Sequence, residues 1–522
     1  MKRFEGTIIT CDGKNTIAGH LVEDRGRVVY VGNDLPARYR DAACVPLGQR
    51  ALLPSFVDTH QHFASFAIFH AGLNLMEEDV ETNGETVEAL RAFAGKTRAG
   101  LVIAFGASPH SVREGRLISR EELDRACPGR PAVVVKYDGH ACVINTKLLE
   151  ILRGKLSGLR GFHPDTGEMN QEAFFAVCDH MTRSVSTPAL VRNMQRAMDF
   201  NASRGIGMVH TVSGVGFPGN LDISLEKWTG RSAQGGFQLR VFPQSMDIKA
   251  ATGRKLPRIG GCFANALDGC FGSRDAALHA PYEGAGGKGV LYYSDEQVER
   301  FCKAANRAGL QIELHAIGDA AFDQAAKALK AALDDFPRED HRHGIIHACL
   351  TTEEGLSICG KYRILLLVQT AFIAWKQEPD SYLRGILGNR CDRLNPIRGM
   401  LEAGLVVAAG SDAPTTTPDP IAWIHKACNH ESPGQSVSVY QALRMCTYNG
   451  AYATFDEKDR GSLETGKIAD MVILSQNPYD VPAEKLSTLK TEALYLGGIP
   501  YANQNRPAVA AVVTGMLSRG KI

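Results

Sequence analysis

The sequence predicts an α/β protein: a distorted (β/α)8 TIM barrel carrying a small β-sandwich domain formed by the N- and C-terminal segments. Three observations predict it. Short apolar runs that finish in polar residues recur through the middle of the chain, amphipathic helical stretches separate them, and the two ends share a β-rich texture.

The first fifty residues read as strands, FEGTIITCD and then HLVEDRGRVVYVG, with a turn at Asp24, Arg25 and Gly26. The middle then supplies strand-like runs at LLPSFVDTH (52–60), VIAFGAS (102–108), AVVVKYDGH (132–140), GIGMVHT (205–211) and QLRVFPQ (238–244). It continues with QIELHA (311–316), GIIHA (344–348), ILLLVQT (364–370) and LVVAAGSD (405–412). Nine candidates exceed the eight strands of a barrel, so at least one belongs to an insertion. Helical patterns lie between them, among them DEQVERFCKAANRAG (295–309) and AAFDQAAKALKAALDDF (320–336), and strands followed by helices point to parallel βαβ units. ADMVILSQNP, EALYLGG and AVAAVVTGM close the chain with a strand-like texture. The division expected is a composite β-sandwich domain from residues 1–50 and 465–522, and a barrel over 51–464 with insertions at about 63–131 and 212–310.

A barrel of ~250 residues or more, with insertions and a small second domain, suits a chain of 522. Hydrophobic content of 44% and charged content of 22% are those of a soluble globular protein, and a net charge of +1 gives no field that argues for nucleic acid or an anionic membrane. The N-terminus lacks the apolar core of a signal peptide, and ILLLVQTAFIAW (364–375) is too short and too polar to span a bilayer. Thirteen scattered cysteines without that signal read as reduced thiols in a cytoplasmic protein. The partner expected is a small-molecule substrate, and the assembly expected is a homodimer.

The chemistry begins in PSFVDTHQHF, residues 54–63. Residues i and i+2 of a strand share a face, so His60 and His62 project together from a strand's carboxyl end, where barrel enzymes keep their active sites. Two imidazoles so placed suit one divalent cation, although a strand can also end in two polar residues by chance. HRH at 341–343 has the same spacing in a polar turn and is read as solvated. His315, His347 and Asp412 each end a further apolar strand, and their company favours a metal centre.

These motifs resemble the amidohydrolase superfamily, specifically its amidohydrolase-3 branch, which includes the N-substituted formamide deformylases. The resemblance rests on HxH after PxFVD, HAIGDAA, IIHAC, GSDAP, KYDGHACVINTKLL, ALDGCFGSRDAAL and TYNGAYATFDEKDRGSLETGKIADMVIL. It implies the barrel with a terminal sandwich and metal-assisted hydrolysis of C–N bonds. It further implies His60 and His62 on a buried metal, with His315 and His347 on a second or one of them steering substrate. Asp412 is implied both as ligand and as proton shuttle. Two divalent metals are expected, zinc with iron or manganese as alternatives. Relatives bridge their metals with a carboxylated lysine, a glutamate or a cysteine, and GGCFANALDG has no lysine where many relatives carry one. Lys136, which ends AVVVK, is the replacement candidate, its amine driven neutral beside two cations and open to carboxylation, with a lysine that pairs with a carboxylate or reaches to water as the equal alternative.

His140, Gln369 and Arg274 are read as substrate contacts, His140 against a loop histidine and Arg274 as an anchor for an anionic group against an equal surface reading. Trp375 follows the same strand end as Gln369, and either pocket lining or packing accounts for it. His210 is read as a supporting residue, or as a ligand if Lys136 is not one. Asp319 is read as the cap of the following helix. GVGFPG (214–219) matches a dinucleotide-binding fingerprint only in letters, because Pro218 removes a backbone donor and no apolar helix face follows. A one-metal deaminase is the competing reading, weakened because His315 lacks the glutamate three residues on that such deaminases carry. A non-catalytic scaffold on this fold is the other.

Overall fold

A computed structural model describes all residues except 79 and 285. Eight parallel strands form its TIM-barrel-like core: β1 (Phe56–Gln61), β2 (Ile206–Ser213), β3 (Gln238–Pro243), β4 (Arg258–Ala266), β5 (Gln311–Ala316), β6 (Gly344–His347), β7 (Leu365–Val368) and β8 (Val407–Ala409). Hydrogen bonds order them as β3-β2-β1 and β4-β5-β6-β7-β8, and a Gln61–Ala413 bridge sets β1 beside the chain that leaves β8. Because every ladder is parallel, the carboxyl ends gather on one face. The helices Asp295–Arg307 and Asp319–Asp335 bury Val298, Phe301, Phe322 and Leu329 against them, at about 1.5–3 kcal/mol for each large apolar side chain removed from water.

Two of the nine strand-like runs belong elsewhere. Val102–Ala107 and Ala132–Lys136 lie in a separate six-stranded sheet spanning 73–170, inserted between β1 and β2. With its following helices Gln171–Ser184 and Thr187–Ser203, the insertion runs on well past residue 131, while the stretch 212–310 contains β3 and β4. The sequence reading passed over β4 because Gly260 and Gly261 interrupt it, and glycine is depleted in strands. Close approach requires them: a Cβ at Gly260 would stand 2.0 Å from the Glu313 carbonyl oxygen, and one at Gly261 2.6 Å from Val212 Cγ1.

Strands from both chain ends share one seven-stranded sheet, in which Ala43–Pro54 is central, paired with Lys2–Ile9 on one side and Met471–Leu474 on the other. Only Ser55 separates that central strand from β1. AVAAVVTGM is not a strand. It lies in the helix Ala508–Leu517, whose Ala508, Ala511 and Gly515 recur at helical spacing and are buried against the helix Leu221–Ser232. Small residues are needed there, since a Cβ at Gly515 would lie 1.9 Å from the Trp228 carbonyl oxygen. Among the described residues, no helix is long and apolar enough to cross a membrane.

Gly515→Val should therefore prise that helix from its seat. The expected loss is about 2–3 kcal/mol in chemical denaturation, with cleavage within 508–517 preceding global unfolding in limited proteolysis; an unchanged midpoint would contradict this packing.

Candidate metal centre

Six ligand-type side chains from five strand ends meet on the carboxyl face. Asp412 Oδ1 stands 3.1 Å from His60 Nε2 and 3.3 Å from His62 Nε2. Cys262 Sγ stands 3.1 Å from His60 Nε2 and 3.5 Å from His347 Nε2. The His315 ring meets that of His347 edge-on at 4.6 Å. The atoms fall into two groups, His60/His62/Cys262/Asp412 and Cys262/His315/His347, with all donors in a group within 4.8 Å of one another. Cys262 belongs to both.

Backbone geometry sets these side chains. Asp58, fully buried on β1, accepts hydrogen bonds from Ser411 N (2.9 Å), Ser411 Oγ (2.6 Å), His60 N (3.2 Å) and Gln61 Nε2 (3.2 Å). His62 N donates to Ala413 O at 2.8 Å, and Asp412 N to His60 O at 2.7 Å. This seam carries the histidine pair against Asp412. On β4 the register shifts between Gly261 and Ala266, and Phe263 within the shift has φ 46°, so the strand swings Cys262 into the site. His347 (φ 71°), Ala348 (φ 48°) and Asp412 (φ 59°) also hold left-handed backbone, strain that gathers where ligands must be aimed.

Partners behind the ligands orient them. Gln369 Nε2 donates to Leu367 O at 3.4 Å, which turns Oε1 toward His347 Nδ1 at 2.6 Å. With Nδ1 donating, Nε2 of His347 presents its lone pair to the centre. Asp268 lies with Oδ1 3.4 Å from His315 Nδ1, its carboxylate held by Ala277 N (2.9 Å), Ile317 N (3.0 Å) and Gly318 N (2.8 Å).

The electrostatics are those of a cation site. Burial pushes the Asp412 carboxyl up, but the neighbouring His60 and His62 imidazoles outweigh it and hold the group below the usual carboxylate range. Burial holds His60 and His347 neutral, the latter also opposed by His315. Burial, with Asp412 and Glu313 nearby, drives the Cys262 thiol well above its ordinary value. Asp412 Oδ1 lies close to two ring nitrogens yet has no hydrogen bond of proper geometry among the described residues. Buried donor atoms converging on one point, with Asp412 Oδ1 left without a hydrogen-bond partner among the described residues, fit a divalent cation, and a thiolate with imidazoles and a carboxylate is a donor set such ions accept.

Thus the structure brings His60, His62, His315, His347 and Asp412 together. Lys136 it places elsewhere. At the end of an inserted-sheet strand, its Nζ bonds Asp138 Oδ2 at 2.6 Å and, from the chain following β4, Ser273 Oγ at 3.2 Å. Although burial lowers its pKa, Asp138 outweighs this and raises it, which favours the ammonium. The residue missed was Cys262, in the very stretch searched for a lysine. Gln369 bonds His347 and is absent from the cavity wall, whereas His140 and Trp375 line the cavity. Arg274 is exposed, the surface alternative to an anionic anchor, and does not line the cavity. His210 is buried beside Thr454 Oγ1 (3.1 Å), outside both ligand groups. HRH is not solvated: His341 and His343 are buried, and His343 Nδ1 accepts from Ile312 N at 3.0 Å, a packing role in place of the polar turn expected. Asp319 opens its helix rather than capping it, and its Oδ1 accepts from His279 N (2.9 Å).

A description of the Amidohydrolase family matches residues 44–502. The chain belongs to the amidohydrolase family. It is similar to the protein LONG AFTER FAR-RED 3 of Arabidopsis thaliana, at 25% identity over 94% of this chain and 90% of that one. It is similar also to the N-substituted formamide deformylase of Arthrobacter pascens, at 23% identity over 95% and 97%. In fold it resembles an uncharacterized metal-dependent hydrolase of Pyrococcus furiosus, with a TM-score of 0.73 at 23% identity over 91% of this chain and 99% of that one. As a member of this family the protein is an enzyme, a hydrolase acting on C–N bonds.

Asp58→Asn leaves one acceptor for four donors and turns an amide N–H toward Ser411. The amidohydrolase should lose about 2–3 kcal/mol in denaturant-induced unfolding; a loss below a few tenths would show that the seam does not depend on this carboxylate.

Proposed function

We propose that this amidohydrolase cleaves an amide, cyclic amide or N-substituted formamide bond at a centre where two divalent ions would be held, with Cys262 available to both. One observation carries the reading: a single sulfur is common to two sets of ligand atoms. His60, His62 and Asp412 would hold one ion and His315 and His347 the other, and thiolate with imidazole ligands would favour zinc. When bound, the ions supply Lewis acidity and bring the pKa of water in the site towards ~7. Asp412, the one carboxylate in the ligand set, takes the proton of the attacking water and returns it to the departing nitrogen. Its lowered pKa keeps it ionised to receive that proton. His140, on the cavity wall, donates to the carbonyl oxygen as charge develops there. Gln369 fixes the His347 tautomer, and Asp268 stands behind His315. A cytoplasmic setting, which keeps thiols reduced, belongs to the same reading, since all thirteen cysteines are free.

Metal analysis of the purified enzyme tests the bridge. Wild type should carry two ions per chain, Cys262→Ala one or none, and Lys136→Ala two, with no gain from added short carboxylates. A Cys262→Ala enzyme that keeps both ions would refute the assignment. Asp412→Asn should lower kcat by about 10²–10⁴-fold, read in single turnovers against a formamide; full activity would remove Asp412 from proton transfer.

A further inference from the structure

The metal centre opens into a cavity of about 850 Å3, far larger than a formyl group or a small amide needs. Its wall has a direction. The His347 ring stacks on Phe372 at 5.8 Å, Phe372 on Trp375 at 4.9 Å, and Trp375 meets Tyr137 edge-on at 5.1 Å. Tyr137 then donates its hydroxyl proton to Glu378 Oε1 at 2.8 Å. A continuous aromatic surface thus leads from a metal ligand to a carboxylate.

Charge on this wall is one-sided. Five carboxylates line the cavity (Asp138, Asp268, Asp275, Glu378 and Asp412), and among the described residues no lysine or arginine does. Asp412 belongs to the metal centre, and backbone amides hold Asp268. Asp275 accepts from Cys270 N (2.8 Å) and Tyr292 Oη (2.8 Å), and Asp138 pairs with Lys136. Among the described residues, by contrast, no cation is hydrogen-bonded to Glu378, which meets the Tyr137 phenol and the Gly272 backbone. Asp138 and Lys136 act on its charge in opposite senses from further off. Flat rings favour apolar and aromatic bodies and attract cations through their faces, whereas like charges brought together in a desolvated pocket are repelled.

We infer that the enzyme takes amides bearing a bulky aromatic or similarly apolar substituent, neutral or cationic at its far end, and rejects those whose far end is anionic, with Glu378 setting the discrimination. The inference rests on the hydrolase reading above and adds the substrate class to it. Burial raises Glu378 to about 7, so assays at about pH 8 keep it ionised.

The test compares four formamides on the metal-replete enzyme: N-formyl-2-phenylethylamine, its para-aminomethyl and para-carboxylate derivatives, and N-methylformamide. Charge in the para position lies away from the metals, so the far wall decides the outcome. In kcat/KM the aminomethyl compound should equal or exceed the parent, with the carboxylate and N-methylformamide each about a hundredfold or more below it. Glu378→Gln should shrink the ratio of cationic to anionic substrate about tenfold, with metal content as in wild type. Turnover of the carboxylate or of N-methylformamide as fast as the parent would overturn the inference and leave the hydrolase reading standing. Calorimetry on the same compounds separates the two further. Binding in the stated order without turnover would sustain the inference and sink the hydrolase reading, and failure of the aromatic formamides to bind would overturn the inference.

Discussion

The centre depends on a carboxylate that touches no substrate. Asp58 gathers two backbone amides, a hydroxyl and a side-chain amide from β1 and from the chain leaving β8. Burial raises its pKa to about 7 in spite of those donors, so its position is energetically demanding and is kept by the bonds it makes. Without that seam the histidine pair and Asp412 would be two unrelated strand ends.

The choice of sulfur as the shared atom has physical consequences. A thiol so deeply buried resists ionisation, and only a cation beside it compensates for a thiolate there. In the proposed centre, folding and metal uptake would therefore be linked at Cys262, and the thiol's proton would be released on binding. Left-handed backbone at His347, Asp412 and Phe263 shows the same economy, since unfavourable conformations occur where ligands must be aimed and where packing on both sides maintains them.

Much of this was legible in the residues. His60, His62, His315, His347 and Asp412 each end an apolar run, and period-two alternation with the parallel-strand rule was enough to bring them to one face. Cys262 was not legible in the same way. Its strand contains two glycines and a register shift, features that erase the apolar pattern by which strands are recognised. Lys136 misled for the converse reason: it ends an unusually clean strand, but that strand belongs to the inserted sheet and its ammonium had a partner two residues on. Side-chain pairing across sheets, as between Asp58 and Ser411, has no signature in a linear chain. AVAAVVTGM shows the limit of texture, because valine and alanine serve a helix as readily as a strand once small residues fall at helical spacing.

The seam that joins Asp58 to Ser411 spans 353 residues of chain. At a synthesis rate of 5–20 residues per second, the first histidines leave the ribosome roughly 20–70 s before their carboxylate partner exists. During that interval the pair lacks the carboxylate that the seam sets against it. In the proposed centre the choice of ion would therefore fall to the late-arriving strands, which complete the ligand set.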